Sequence, residues 1–169
     1  ARYAPSALHV RRGNPLHSSA AAEGALMVQD EGSQLVALYA GAAGARRVLD
    51  VCASPGGKAA AMADIAGDDT IIVAGDVRRR RVRLLRDVVR APRASRIAIV
   101  AHDALAGLPY PDVFDLVLVD APCSGLGTLR RDPDTKWRRR EADGEGFARR
   151  QSAMLGHAGR VVAPGGRLG

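Results

Sequence analysis

Short apolar runs alternate along this chain with longer stretches in which apolar residues recur at helical spacing. Residues 48–51, 70–74, 96–100 and 114–119 are runs of the first kind. Within the last, Leu116-Val117-Leu118-Val119 is uninterrupted, as expected of a strand buried on both faces. Helices are predicted over residues 31–40, 58–66, 78–90 and 146–162. In the first, Leu35, Val36 and Leu38 are the apolar members and Asp30 stands where an N-cap belongs. In the third, Val77, Leu84, Leu85 and Val88 mark the apolar face. Alternation of this kind predicts a doubly wound α/β fold with a mostly parallel sheet. No internal repeat or low-complexity linker divides the chain. Residues 1–40 read as a lead-in segment with the first helix, and 41–169 as the core domain.

In such sheets ligands bind outside the carboxyl ends of the strands. There the sequence carries Asp50 followed by Val51-Cys52-Ala53-Ser54-Pro55-Gly56-Gly57-Lys58, then Gly75-Asp76, His102-Asp103 and Asp120-Ala121-Pro122-Cys123. An acid closes or follows each of four strands. Gly56 and Gly57 would let backbone approach a ligand ahead of a helix N-terminus, or would serve only a tight turn. Asp76 occupies the position at which nucleoside-binding α/β proteins hold ribose hydroxyls. Asp103 could accept from an adenine amino group or cap a helix. Cys123 is a nucleophile or a small buried hydrophobe. A thiolate suits chemistry at carbon 5 of a pyrimidine, which becomes nucleophilic only after addition at carbon 6. Asp120 would then contact the ring near nitrogen 3.

Composition narrows the partner. With 47% hydrophobic and 25% charged residues in 169, the chain has the makings of a real core. No stretch approaches the roughly 18 apolar residues that span a bilayer, and the first ten residues lack a signal-peptide layout. A cytoplasmic protein without a membrane partner is expected. Two cysteines make neither a disulfide framework nor a zinc site, and no metal is expected. The net charge of +7 favours a polyanion, or marks a solvated basic surface. Arg78, Arg79, Arg80, Arg81, Arg83, Arg86 and Arg90 fit the solvated face of the third helix. Arg130, Arg131, Lys136, Arg138, Arg139 and Arg140 surround Trp137 in a predicted loop just past Cys123, a pattern suited to single-stranded RNA.

These motifs together resemble the RsmB-like (Nol/Nop/Sun) family of RNA 5-methylcytosine methyltransferases, of the bacterial small-subunit ribosomal RNA type. Gln29-Asp30-Glu31-Gly32-Ser33-Gln34 looks like its lead-in, and residues 50–58 resemble its D-x-C-A-x-P-G-G-K motif. Residues 120–128 are similar to its D-A-P-C-S-G-x-G stretch, and Arg130-Arg131-Asp132-Pro133-Asp134 with Lys136-Trp137 to its basic extension. Pro164-Gly165-Gly166-Arg167-Leu168 looks like its turn after the next helix. Ser54 and Ala59 replace the commoner alanine and threonine.

The resemblance implies a Rossmann-like class I methyltransferase fold and S-adenosylmethionine as cofactor. It implies that Cys52, Ala53, Ser54, Pro55, Gly56, Gly57, Lys58, Asp76, Arg81, Asp103 and Asp120 line the cofactor pocket. Lys58 and Asp120 would also reach the base, as catalytic groups with Cys123. Arg130, Arg131, Lys136, Trp137 and Arg138 would meet the RNA. In the family the attacking thiolate lies in a later T-C-S motif, and the cysteine matching Cys123 releases the methylated product. The residues given stop at Gly169, before the strand expected to end in T-C-S. An RNA-binding module that keeps the fold without turnover is therefore the alternative.

Overall fold

Among the described residues, five parallel strands carry the fold. The computed structural model describes residues 2–89, 93–129 and 132–169. Arg90 of the third predicted helix, and Arg130 and Arg131 of the second basic cluster, lie outside the described residues. In chain order the elements are α1 (Ser19–Ala22), α2 (Glu31–Ala40), β1 (Arg47–Asp50), α3 (Gly57–Ile65), β2 (Ile71–Asp76), α4 (Arg79–Val88), β3 (Ile97–Ala101), β4 (Phe114–Leu118), α5 (Thr135–Arg138), α6 (Asp143–Gly159) and β5 (Val162–Leu168).

The sheet order is β3-β2-β1-β4-β5 and every pairing is parallel. The chain winds outward from β1 through β2 and β3, then returns to β1's other side with β4. That reversal opens a crevice at the carboxyl ends of β1 and β4. Side chains alternate across the sheet. Val48, Leu116 and Leu118 face a cluster with Met62 of α3 and Leu85 of α4, while Leu49 and Val117 face Met154 and Ala158 of α6. Both faces are thus covered, as the uninterrupted apolar runs required.

Three elements differ from the sequence reading. In α2 the buried residues are Ala37 and Ala40, whereas Val36 and Leu38 are exposed; small side chains let α2 lie close on α3. In α4 the buried stripe is Val82 and Leu85, continued by Val89, while Val77 and Leu84 stay in contact with water. Its described arginines from Arg78 to Arg86 are exposed, in keeping with a solvated face. The last predicted helix begins earlier and ends at Gly159, and residues 162–168 form a strand rather than a helix end and turn. Pro164 and the two glycines are absorbed by a bulge, where pairing with β4 slips between Phe114 and Leu116. Gly165 sits at φ 80°, and a Cβ on Gly166 would lie 2.8 Å from the Phe114 carbonyl oxygen. Gly166 is required by the close approach of β4, and Gly165 by its left-handed backbone. Among the described residues, no helix is long and apolar enough to cross a membrane.

Candidate active site

The loop from β1 into α3 sits at the crevice. Asp50 ends β1 only 1% exposed, and among the described residues neither carboxylate oxygen has a hydrogen-bond partner. Burial pushes its carboxyl up to about 7, and Asp120 adds to the rise. Lys58 opposes it, and so does the Cys52 amide, without closing a hydrogen bond of normal geometry. Burial also pushes the Cys52 thiol up to about 12, helped by Asp50, Asp76 and Asp120. Cys52 is therefore a thiol, not a nucleophile, at neutral pH.

Ala53 donates its amide to the Gly75 carbonyl at 2.8 Å, and the Ser54 hydroxyl donates to the Arg81 carbonyl at 3.4 Å. The exposed Pro55 follows a cis peptide bond. Gly56 adopts φ 116°, and a Cβ there would meet Leu85, Val88 and Val89 at 3.1–3.5 Å. A Cβ on Gly57 would meet the Gln29 side chain at 3.2 Å. The space beside both glycines is thus filled by protein: they are needed for the left-handed turn and for close packing of α4 and the lead-in segment.

At the end of β2, Asp76 is 4% exposed; its Oδ1 accepts from the Arg78 amide at 3.0 Å and its Oδ2 lies 3.7 Å from Arg81 Nη1. One carboxylate edge is thus held by α4's first turn. His102, after β3, is buried between the Val51 carbonyl, 3.0 Å from Nε2, and the Tyr110 hydroxyl, 3.0 Å from Nδ1. A carbonyl only accepts, so Nε2 carries the proton and Nδ1 accepts from Tyr110. Burial lowers the pKa of His102, consistent with that neutral ring. Asp103 is exposed and accepts from the Leu105 amide at 2.9 Å, closing a turn.

After β4, Asp120 is half exposed and its Oδ2 lies 2.6 Å from Lys58 Nζ. Cys123 is exposed, on a loop held from both sides. Gln151 of α6 donates to the Pro122 carbonyl at 3.0 Å, and Arg139 donates to the Ser124 carbonyl at 2.8 Å. The Arg139 guanidinium lies over the Phe147 ring. Lys136, Trp137 and Arg138 belong to the single turn of α5 rather than to a loop. Trp137 is 79% exposed with the Lys136 ammonium 4.5 Å from its ring centre, and Arg138 pairs with Asp134 at 3.8 Å.

The structure therefore brings Asp50, Cys52, Lys58, Asp76 and Asp120 to one crevice and puts Cys123 on the adjoining loop. Sequence reasoning passed over Asp50 and His102 as functional groups. The regular placing of an acid at each strand end was the available signal for Asp50. A cavity of about 460 Å³ lies elsewhere, between the lead-in segment (Pro5, Leu8, Leu26, Met27) and Leu38 of α2 with Ile65 of α3. Among the described residues no cluster of His, Cys, Asp and Glu could hold a metal ion.

Comparison with known proteins bears on the fold and the family. Residues 40–168 match the family described as 16S rRNA methyltransferase RsmB/F. The ribosomal RNA small subunit methyltransferase B of Salmonella paratyphi B is 32% identical over 171 residues, which cover 97% of this chain and 38% of that protein. A Mycobacterium tuberculosis protein named as a methyltransferase is 38% identical over 170 residues, covering 98% of this chain and 36% of its own. Among solved structures, PH0851 superimposes with a TM-score of 0.83 at 34% identity, over 93% of this chain and 36% of that one. NSun6 from Pyrococcus horikoshii, crystallised with SFG, gives 0.76 at 26% identity, over 93% and 40%. The chain spans little more than a third of the curated relatives it matches. On the family match and the shared fold, it belongs to the RsmB/F family of 16S rRNA methyltransferases.

Proposed function

We propose that this chain forms the donor-binding and base-adjoining part of an enzyme that methylates carbon 5 of cytosine in RNA, in the small ribosomal subunit, with S-adenosylmethionine as donor. The observation that carries the reading is the set of carboxylates at the strand ends, with the Lys58–Asp120 pair between the donor crevice and the Cys123 loop. The donor set fits an adenosine ligand bearing positive charge: Asp76 is a buried acid at the end of β2, and Asp50 is an orphaned one at the switch point. A relative crystallised with SFG, an analogue of S-adenosylmethionine, supports the same donor. The name of the Salmonella relative supports small-subunit ribosomal RNA as substrate. Such a substrate implies a cytoplasmic site of action.

In this reading Asp76 holds the ribose hydroxyls, Asp103 adjoins the adenine, and residues 52–58 with Arg81 wrap the remainder. The bound donor supplies a methyl group on a sulfonium. Asp120, held by Lys58, faces nitrogen 3 of the base, where charge changes as a thiolate adds to carbon 6. Cys123, on its clamped loop, acts on the product side: carbon 5 still bears a proton after transfer, and the product leaves only once that proton is gone. Lys136, Trp137 and Arg138 take the strand beside the base, with stacking on the exposed indole. Arg130 and Arg131 are proposed to join them.

Calorimetry with S-adenosylmethionine tests the donor assignment. Asp76→Ala should weaken binding by about 1.5–3 kcal/mol, the cost of removing a charged hydrogen-bond partner. Unchanged affinity with far-UV circular dichroism intact would remove Asp76 from the site.

A further inference from the structure

Asp50 enters that scheme only as an orphaned acid at the switch point, with no contact or proton transfer assigned to it. A carboxylate with both oxygens buried, and without a hydrogen-bond partner among the described residues, is costly in its charged form. The charged groups acting on it come from each neighbouring element: Lys58 from α3, Asp76 from the end of β2, Asp120 from the loop after β4. The Cys52 thiol in its own loop is uncharged, and His102, bonded to the neighbouring Val51 carbonyl, is neutral. Lys58 is already engaged by Asp120 at 2.6 Å, so two carboxylates and one committed ammonium surround Asp50. That field favours a neutral Asp50 until positive charge enters the crevice.

We propose that Asp50 is a charge sensor for the methyl donor: protonated in the empty chain, it gives up its proton when the cationic donor binds and takes one back when the sulfonium becomes a neutral thioether. The inference rests on the donor reading above. S-adenosylmethionine carries one more positive charge than S-adenosylhomocysteine, and that charge disappears as the methyl group leaves with its carbon–sulfur bond. Asp50 makes and breaks no bond to carbon; its proton is exchanged with water. The consequence is a site that favours donor over product more strongly as pH rises. Burial already pushes the Asp50 carboxyl up to about 7, so the exchange falls within the working range of pH.

Calorimetry of the chain in paired phosphate and Tris buffers reads the exchange, because the two differ in ionisation heat. Titrating S-adenosylmethionine near neutral pH should release about half a proton per ligand, rising toward one at about pH 6 and vanishing by about pH 8.5. S-adenosylhomocysteine should release less than half as much. Asp50→Asn should abolish the release by S-adenosylmethionine. Equal release by the two ligands, or release persisting in Asp50→Asn, would overturn the proposal. If the variant does not fold, the two-ligand comparison on the unaltered chain decides alone. Binding without proton release would refute the sensor and leave the donor site standing, whereas binding of neither ligand at any pH would refute both.

Discussion

Lys58 and Asp120 reach each other across the point where the sheet reverses, with Nζ 2.6 Å from Oδ2. One comes from the first turn of α3 after β1, the other from the end of β4, so the pair forms only when those two strands are neighbours. Half of the Asp120 side chain meets water, which limits the pair's contribution to folding. Asp120→Asn should therefore change stability in urea by less than about 1 kcal/mol. Methyl transfer by the whole protein should fall about 10²–10⁴-fold, the range for losing a positioned acid–base group. A large stability loss with turnover intact would make the pair structural.

Asp50 and His102 impose opposite pH dependences on folding. The Asp50 carboxyl stands near 7 in the folded chain against an ordinary 3.8. Between those values the folded state keeps a proton that the unfolded chain has lost, so this contribution to stability falls as pH rises from about 4 to 7. His102 is lowered instead: its contribution is present above the usual 6.5 and falls as pH drops below it, where the unfolded chain binds the extra proton. Asp50→Asn should erase the first limb, gain about 1–3 kcal/mol above pH 8, and leave the acid-side loss due to His102. Urea midpoints across that range check it; an unchanged profile would mean that Asp50 is charged in the native state.

Much of this was legible in the sequence, and the misses share a cause. β1 through β4 followed from apolar runs because a parallel sheet covered on both faces demands them. Asp76, Lys58 and Asp120 could be placed because strand ends and ligands coincide in such sheets. β5 was missed because Pro164, Gly165 and Gly166 are local punctuation, whereas the strand is made by tertiary pairing with β4, whose Phe114 carbonyl lies beside Gly166. The α2 core was misread because Ala37 and Ala40, chosen for close approach, carry less hydrophobic signal than the exposed Val36 and Leu38. That Gly56 packs against α4 is a tertiary fact with no local signature.

Gly75 illustrates such a fact and offers a test. A Cβ there would lie 2.0 Å from His102 Cε1, so the ring can bridge Val51 and Tyr110 only above a glycine. Gly75→Ala should lower stability by about 1–3 kcal/mol through overpacking. Gly75→Ala with His102→Ala should recover part of that loss. Additive losses in the double variant would place the strain somewhere other than the ring.

Lys136 and Arg138 test the RNA surface. If each meets a phosphate, replacing both with alanine should reduce the slope of log affinity against log salt by about 1.4, at 0.7 per single-strand contact. Trp137→Ala should weaken binding by about 1–3 kcal/mol with the slope unchanged, as expected for lost stacking. A fixed slope in the double variant would leave these cations without a phosphate role.

The proposed methyl transfer from S-adenosylmethionine to cytosine carbon 5 can be read by incubating the whole protein containing this chain with methyl-labelled donor and unmethylated small-subunit ribosomal RNA, digesting the RNA to nucleosides and locating the label. Label is expected in 5-methylcytidine, and its loss in Asp120→Asn. Label in an amine-methylated or ribose-methylated nucleoside, or an unlabelled RNA with donor bound, would contradict it.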